Sequence, residues 1–241
     1  MAHEMNDLGQ PVGLPVGNWQ PPPRPARATM EGRYCRLEAV DPRRHAADLH
    51  AANALDAAGR MWTYLPYGPF AGADAYRQWL ESACAGNDPH FFAIVDRSSA
   101  KAVGLASYLR IDPAGGSIEV GHLAYSPLLA RTTAATEAMF LMMRWAFSAG
   151  YRRYEWKCNA LNAPSRRAAL RLGFSYEGVF RQAGMVKGRN RDTAWYAAID
   201  AEWPALERAY VTWLAPENFD VQGRQRVSLA SLTAPIAQLR G

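Results

Sequence analysis

Residues 118–174 read IEVGHLAYSPLLARTTAATEAMFLMMRWAFSAGYRRYEWKCNALNAPSRRAALRLGF, and the order of residue types predicts strand, turn, helix, strand, helix. From Ile118 to Tyr125 the residues are mostly β-branched, aromatic or otherwise apolar. Ser126-Pro127 ends the run, because proline has no N–H to give to a ladder. From Thr132 to Ala149 there is neither glycine nor proline, good helix formers dominate, and Gly150 supplies a stop. Apolar residues cover most of the circumference of that helix and leave Glu137 and Arg144 on one narrow face. It is therefore expected to lie buried against a sheet.

The turn entering the helix, Leu128 to Thr133, offers backbone N–H groups without helical partners, two hydroxyls and the cation Arg131. All stand at the positive end of the helix dipole, where a phosphate is well received. The plainer reading is that Thr132 or Thr133 is an ordinary N-cap and Arg131 a surface cation.

Two segments carry a family resemblance. Thr136-Glu137-Ala138, with Ala130, Thr133 and Ala135 counted back from it, is similar to the pyrophosphate-binding segment of the GNAT N-acetyltransferase superfamily. In that segment a Gln or Arg, a Gly and a Gly or Ala precede Thr-Glu-Ala. Asn162-Ala-Pro-Ser165-Arg166, followed by Arg171-Leu172-Gly173-Phe174, resembles the Asn-x-x-Ser start and Leu-Gly-Phe end of a later helix. The likeness runs from about Gly32 to Trp203 and is greatest to the branch containing the ribosomal-protein alanine acetyltransferases. Ala130 and Thr133 depart from the family pattern; Thr133 narrows the approach of a phosphate, while Arg131 can supply charge beside Ala130.

The resemblance implies a single GNAT-like α/β (α+β) domain, a mixed and mostly antiparallel sheet of about six or seven strands with helices on both faces. It implies acetyl-CoA as co-substrate, with Ala130, Arg131, Thr132, Thr133, Ala134, Ala135 and Thr136 around the pyrophosphate. The main chain of Leu123, Ala124 and Tyr125 would hold the pantetheine arm, and Asn162, Ser165 and Arg166 would meet the cofactor from the later helix. Ser165 stands where this branch places the hydroxyl that protonates the leaving thiolate. Glu119 stands on a strand where some members carry a catalytic carboxylate, and Cys158 matches a cysteine seven residues before the serine. The carboxylate that relatives carry in the penultimate strand falls near Gly184, which has none.

The residues by themselves leave some of these roles open. Asn162 and Ser165 are both natural N-caps, and Pro164 makes Asn162 the better one. Glu119 also reads as a surface carboxylate, and Cys158 as a buried structural thiol. His122, three residues beyond Glu119, faces the other side of a regular strand unless a bulge re-aims it.

With 241 residues, 49% of them hydrophobic, the chain can build one sizeable core. No run reaches the roughly 18 apolar residues of a membrane span. The opening MAHEMNDLGQ has no apolar signal core, and three scattered cysteines with five scattered histidines show neither disulfide nor metal spacing. A cytoplasmic location and no metal are expected. The net charge of +5 fits an anionic co-substrate, and the arginine-dense final third also fits a nucleic acid.

Residues 1–28 are rich in proline and glycine and read as an arm. Trp19 within it is expected to lie across the domain or a neighbouring subunit, with free disorder as the alternative. Residues 29–214 form the acetyltransferase domain, opening on a strand at Arg33 to Glu38 and a helix at Pro42 to Leu55. Met61 to Phe70 is too broken by proline for regular structure. It is expected to wall the acceptor site with Trp62, Tyr64 and Tyr67, joined by His122, or else to be a loop pinned by its own aromatics. A helix at Asp74 to Ala85 follows, then strands at His90 to Asp96, Lys101 to Ile111 and Arg152 to Cys158. A hairpin from Phe174 to Ile199 and a helix from Glu202 to Leu214 close the domain, and residues 215–241 read as a loosely held tail.

The expected activity is transfer of acetyl from acetyl-CoA to a primary amine, either a protein N-terminus or a small amine, by direct attack in a ternary complex. A non-catalytic CoA-binding or protein-interaction module is the alternative, with nucleic-acid binding behind it. A homodimer is compatible with the family, although no residue in the chain argues for one.

Overall fold

The computed structural model describes residues 3–236. The arm begins with a small hairpin, β1 (His3–Met5) and β2 (Pro11–Gly13), separate from the main sheet. Next come β3 (Met30–Glu31), β4 (Cys35–Ala39), α1 (Pro42–Asn53), α2 (Ala73–Ala83), β5 (His90–Asp96), β6 (Ala102–Asp112) and β7 (Ser117–Tyr125). They are followed by α3 (Thr133–Ser148), β8 (Arg153–Asn159), α4 (Ala163–Arg171), β9 (Ser175–Val186), β10 (Arg189–Ile199), α5 (Trp203–Leu214) and α6 (Leu229–Thr233). The main sheet has eight strands in the order β3-β4-β5-β6-β7-β8-β10-β9. Its described pairings are antiparallel except β7 with β8, which α3 connects.

Alternation along β5 shows why helices cover both faces. Phe92 and Ile94 point into the core under α3 and α5, whereas Phe91, Ala93 and Val95 point into a second core with Leu49 of α1 and Leu80 of α2. α3 starts where composition and capping place it, with the Thr132 hydroxyl oxygen accepting from the Ala135 N–H at 3.1 Å.

The strand expected from Arg33 to Glu38 is β4, which begins two residues later, at Cys35, and is preceded by the short β3. The N–H groups of Arg33, Tyr34 and Cys35 all donate to the carboxylate of Glu137 on α3, at 2.8, 2.6 and 2.8 Å. The buried Glu137 therefore holds the entry of β4, which leaves Arg33 and Tyr34 out of the ladder.

The arm at Trp19 and Pro23 and the segment after α5 are both fastened to the domain. The Trp19 indole N–H donates to the Gly150 carbonyl at 2.9 Å, and the Tyr151 hydroxyl donates to the Pro23 carbonyl at 3.1 Å, so the arm lies across the domain. The segment expected to hang loosely after α5 folds back instead. Leu229 and Thr233 of α6 are wholly buried, and the Thr233 hydroxyl donates to the Arg171 carbonyl at 3.0 Å. The Asn218 amide ties the turn by donating to the carbonyls of Trp213 and Val227.

Two irregularities in β7 position the site. β7 and β8 pair only from Ser117 to Val120, so the two strands separate beyond that point. On the other edge Leu105 pairs with Ala124 and Ser107 with Gly121, which leaves two residues of β7 opposite one of β6. This bulge puts His122 in the left-handed backbone region, at φ 51°.

Candidate active site

The separation of β7 from β8 opens two cavities that share Trp156 as a wall. The larger, about 660 Å³, is lined by Tyr125, by Ala130, Arg131, Thr132, Thr133, Ala135 and Thr136 of the turn and first helical turn, and by Arg167 and Arg171 of α4. Thr132 takes up the Ala135 N–H only; the N–H groups of Thr133 and Ala134 are at the start of α3, where no helical carbonyl reaches them. Arg171 donates to the Thr136 hydroxyl at 3.1 and 3.2 Å and lies over the Trp213 ring at 5.1 Å. Burial pushes its guanidinium below the usual arginine range without depriving it of charge. Backbone donors, two arginines and apolar walls from Leu172 and Trp213 suit an elongated anionic ligand.

The smaller cavity, about 270 Å³, brings together Glu119, His122, Leu123, Cys158, Asn162 and Ser165, with Tyr64 opposite them. Glu119 and His122 share it because of the bulge: a regular strand would have sent them to opposite faces. The His122 Nδ1 is 3.2 Å from the Tyr67 hydroxyl, and the two rings stack at 5.6 Å. Burial, followed by the charges of Arg110 and Arg191, lowers the His122 pKa to about 4, so the ring is neutral at neutral pH.

Glu119 is buried and both its oxygens are engaged. Arg110 binds them in bidentate fashion at 2.8 and 3.0 Å, and Lys157 approaches at 3.0 Å. Lys157 also meets Glu155 at 2.6 Å, and Arg153 links Glu155 to Glu177 at 2.6 and 2.5 Å. The result is a ladder of alternating charge across four strands. Burial alone would raise the Glu155 carboxyl, but Lys157 and Arg153 outweigh it and hold it low.

At the junction of the two cavities the Trp156 indole N–H donates to the Ser165 hydroxyl at 3.0 Å, which leaves the hydroxyl proton free to point elsewhere. Asn162 is the cap of α4, its side-chain oxygen accepting from the Ser165 N–H at 3.1 Å. Burial pushes the Cys158 thiol up, against the opposing pull of the Ser165 hydroxyl, Arg166 and Arg191, so it is protonated at neutral pH.

Five expected residues are placed elsewhere, Tyr67 among them, which packs against Trp79 and His122 and lines neither cavity. Trp62 is 5% exposed and packs edge-on against Phe70 at 5.5 Å, making it a core residue beneath the aromatic loop. The Ala124 side chain is buried in the second core, so only its main chain could meet a ligand. Ala134 is buried on the side of α3 that faces Arg33 and Tyr34, away from both cavities. Arg166 turns to the Tyr196 hydroxyl at 3.1 Å and lines neither cavity; Arg167 is the neighbour that does.

Several lining residues were not anticipated from the sequence. Arg167 and Arg171, four apart, stand on one helix face, a spacing that could have drawn attention to them. Trp213, Phe219, Gly223 and Gln225 reach the larger cavity only because the tail folds back, and nothing local marks them. Lys187, in the β9–β10 turn, donates to the carbonyls of Trp62 and Gly68 at 2.7 and 2.8 Å and clasps the aromatic loop over the smaller cavity. Other arginines of the final third are likewise engaged within the molecule, Arg153 with two glutamates and Arg152 over the Trp19 ring at 5.8 Å.

The site and the sheet define an acyltransferase architecture, and comparison with known proteins gives the family. Residues 36–175 match the model of the acetyltransferase (GNAT) domain. A GCN5-related N-acetyltransferase from Brucella melitensis is 49% identical, superposes with a TM-score of 0.89 and covers 91% of this chain and 100% of its own. A probable GNAT-family acetyltransferase from Chromobacterium violaceum is 40% identical, with a TM-score of 0.76, over 81% of this chain and 98% of its own. The ribosomal-protein-serine acetyltransferase of Escherichia coli (strain K12) is 30% identical over 97 residues, 40% of this chain and 54% of that protein, so the chain spans about half the length of this curated relative.

The chain belongs to the GNAT acetyltransferase family, whose co-substrate is acetyl-CoA. Among the described residues no helix is long and apolar enough to cross a membrane, and no cluster of three metal-ligating side chains is found.

Proposed function

We propose that the acetyl group moves from acetyl-CoA directly to a primary amine, with no covalent enzyme intermediate. One arrangement carries this reading: beyond Val120 the gap between β7 and β8 joins an arginine-lined cavity to a polar cleft across Trp156 and Ser165. Acetyl-CoA supplies the acyl group as a thioester. The Ala130 to Thr136 turn, Arg167 and Arg171 bind its phosphates, and the main chain of Leu123 to Tyr125, free of β8, holds the arm and polarises the carbonyl. The amine enters from the cleft walled by Tyr64 and His122. As the C–N bond forms and the C–S bond breaks, Ser165 gives its proton to the leaving sulfur, the amine releases its own to water, and water returns a proton to Ser165.

We assign no proton-abstracting role to Glu119, because both its oxygens already bind cations. The cleft instead favours a neutral amine. Arg110, Lys157 and Arg191 all line it, and nearby positive charge disfavours an ammonium. The value of kcat/KM should therefore rise with pH through the pKa of the amine itself, and Glu119→Gln should lower its height while keeping its shape. Loss of the pH dependence in Glu119→Gln would restore the carboxylate as base.

The reading is tested by acetyl-CoA titration followed by thermal unfolding, then by mass spectrometry of an amine panel. A ligand at 100 times its Kd stabilises by about 2.7 kcal/mol, or roughly 5 to 11 °C for a chain of this size. An unchanged Tm at saturating acetyl-CoA would show that Thr133, in place of the family glycine, closes the cradle.

A further inference from the structure

Arg191 is the cation in the acceptor cleft that the protein leaves unpaired. Arg110 and Lys157 are matched by Glu119 and Glu155, whereas no ion pair among the described residues reaches Arg191. Its Nε is shut off from solvent and has no hydrogen-bond partner. The adjacent Asp192 is committed elsewhere, its Oδ1 accepting from the Gln182 N–H at 2.7 Å and the Asn190 amide at 3.0 Å. Phe180 and Gly184 bracket the bulge on β9 that accompanies this stretch of β10, so neither cross-strand neighbour offers a counter-charge.

A guanidinium N–H withdrawn from water without a partner is costly, and proteins rarely leave one so unless a ligand completes it. The planar fork of arginine matches a carboxylate in bidentate geometry. Arg191 lines the same cavity as His122, Cys158 and Ser165, which places it beside the region where the reacting amine must stand. Met61, Leu65 and Pro66 give the cleft an apolar wall for the remainder of the acceptor.

We propose that the acceptor carries a carboxylate close to its reacting amine and that Arg191 binds this carboxylate, setting acceptor specificity. The inference rests on the acetyl-transfer reading above. The same chemistry is offered by the α-carboxylate of a free amino acid and by an acidic side chain just after a peptide N-terminus.

Isothermal calorimetry of the full chain with CoA bound separates these cases. Leucine is compared with leucinamide, and the amidated tripeptide Ala-Glu-Leu with Ala-Gln-Leu. In one pair the acid should bind about 10- to 100-fold more tightly than its amide, the range of one charge-assisted bidentate contact. The pair that responds identifies the source. Arg191→Gln should abolish the preference, the acid losing far more affinity than the amide, and Arg191→Lys should keep part of it. Equal binding of acid and amide in both pairs by the unaltered chain overturns the proposal, as does no binding of either acid, or an equal loss for acid and amide in Arg191→Gln. Acetylation is followed in parallel. Turnover without acid preference removes this inference alone, whereas acid preference in binding with no amine acetylated removes the acetyl-transfer reading alone.

Discussion

Replacing Glu137 by alanine is expected to lower the free energy of unfolding by about 3 to 5 kcal/mol, the loss that follows from removing a buried acceptor of three main-chain hydrogen bonds. This carboxylate lies 5% exposed on α3 and takes the main-chain N–H groups of Arg33, Tyr34 and Cys35. Removing it strands three donors, and each buried unsatisfied donor costs about 1 to 3 kcal/mol. Gly32 permits this close approach, because a Cβ there would collide with the Glu137 carboxylate. Glu137→Gln keeps one acceptor oxygen and should lose about half as much. Urea unfolding with unchanged m-value measures both variants. A loss under about 1 kcal/mol for alanine would mean that water reaches the loop and replaces the carboxylate. Glu137 belongs to the Thr-Glu-Ala segment that carries the family resemblance, yet its carboxylate contacts structure alone.

Ser165→Ala is expected to lower kcat by about 100-fold while acetyl-CoA affinity changes by less than about 2-fold, since a positioned proton donor contributes on the order of 10² to 10⁴. The substitution separates chemistry from folding. The cap of α4 uses the Ser165 main-chain N–H, which alanine retains, bonded to Asn162. Only the hydroxyl is lost, together with the acceptor of the Trp156 indole. Single-turnover kinetics distinguish the acyl-transfer step from product release. A kcat within about 3-fold of the unaltered chain would return Ser165 to holding Trp156 in place, and Cys158, a protonated thiol in the same cavity, would be the next donor to test.

The bounds of α3 and the end of β7 were legible because the signals are local. Gly150, the Thr132 hydroxyl and Pro127 act within one turn or one residue of where they stand. Asn162 as the cap of α4 was legible for the same reason, since Pro164 fixes the first turn. The turn from Ala130 to Thr133 and the first turn of α3 supply most of the residues predicted for the larger cavity. Arg166 was misjudged for its neighbour Arg167 because a one-residue step on a helix rotates a side chain by about 100°.

By itself the sequence determined the alternation of strands and helices and the ends of the central helix, because composition, periodicity and capping act over a few residues, while the family was legible only through the resemblance of the Thr136-Glu137-Ala138 and Asn162 to Phe174 segments. Only the tertiary structure decided which charges meet and which remain free. The partners of Glu119 come from β6 and β8, so its confinement between Arg110 and Lys157 depends on strand order and register. His122 entered the cleft through a bulge that exists only in pairing with β6. Trp213 and Gln225 reached the larger cavity because the tail folded back, and Arg191 remained unpaired because Asp192 beside it is held by Gln182 and Asn190. Each of these joins residues that no local period connects, and the free energy that settles them comes from packing and desolvation across the whole sheet.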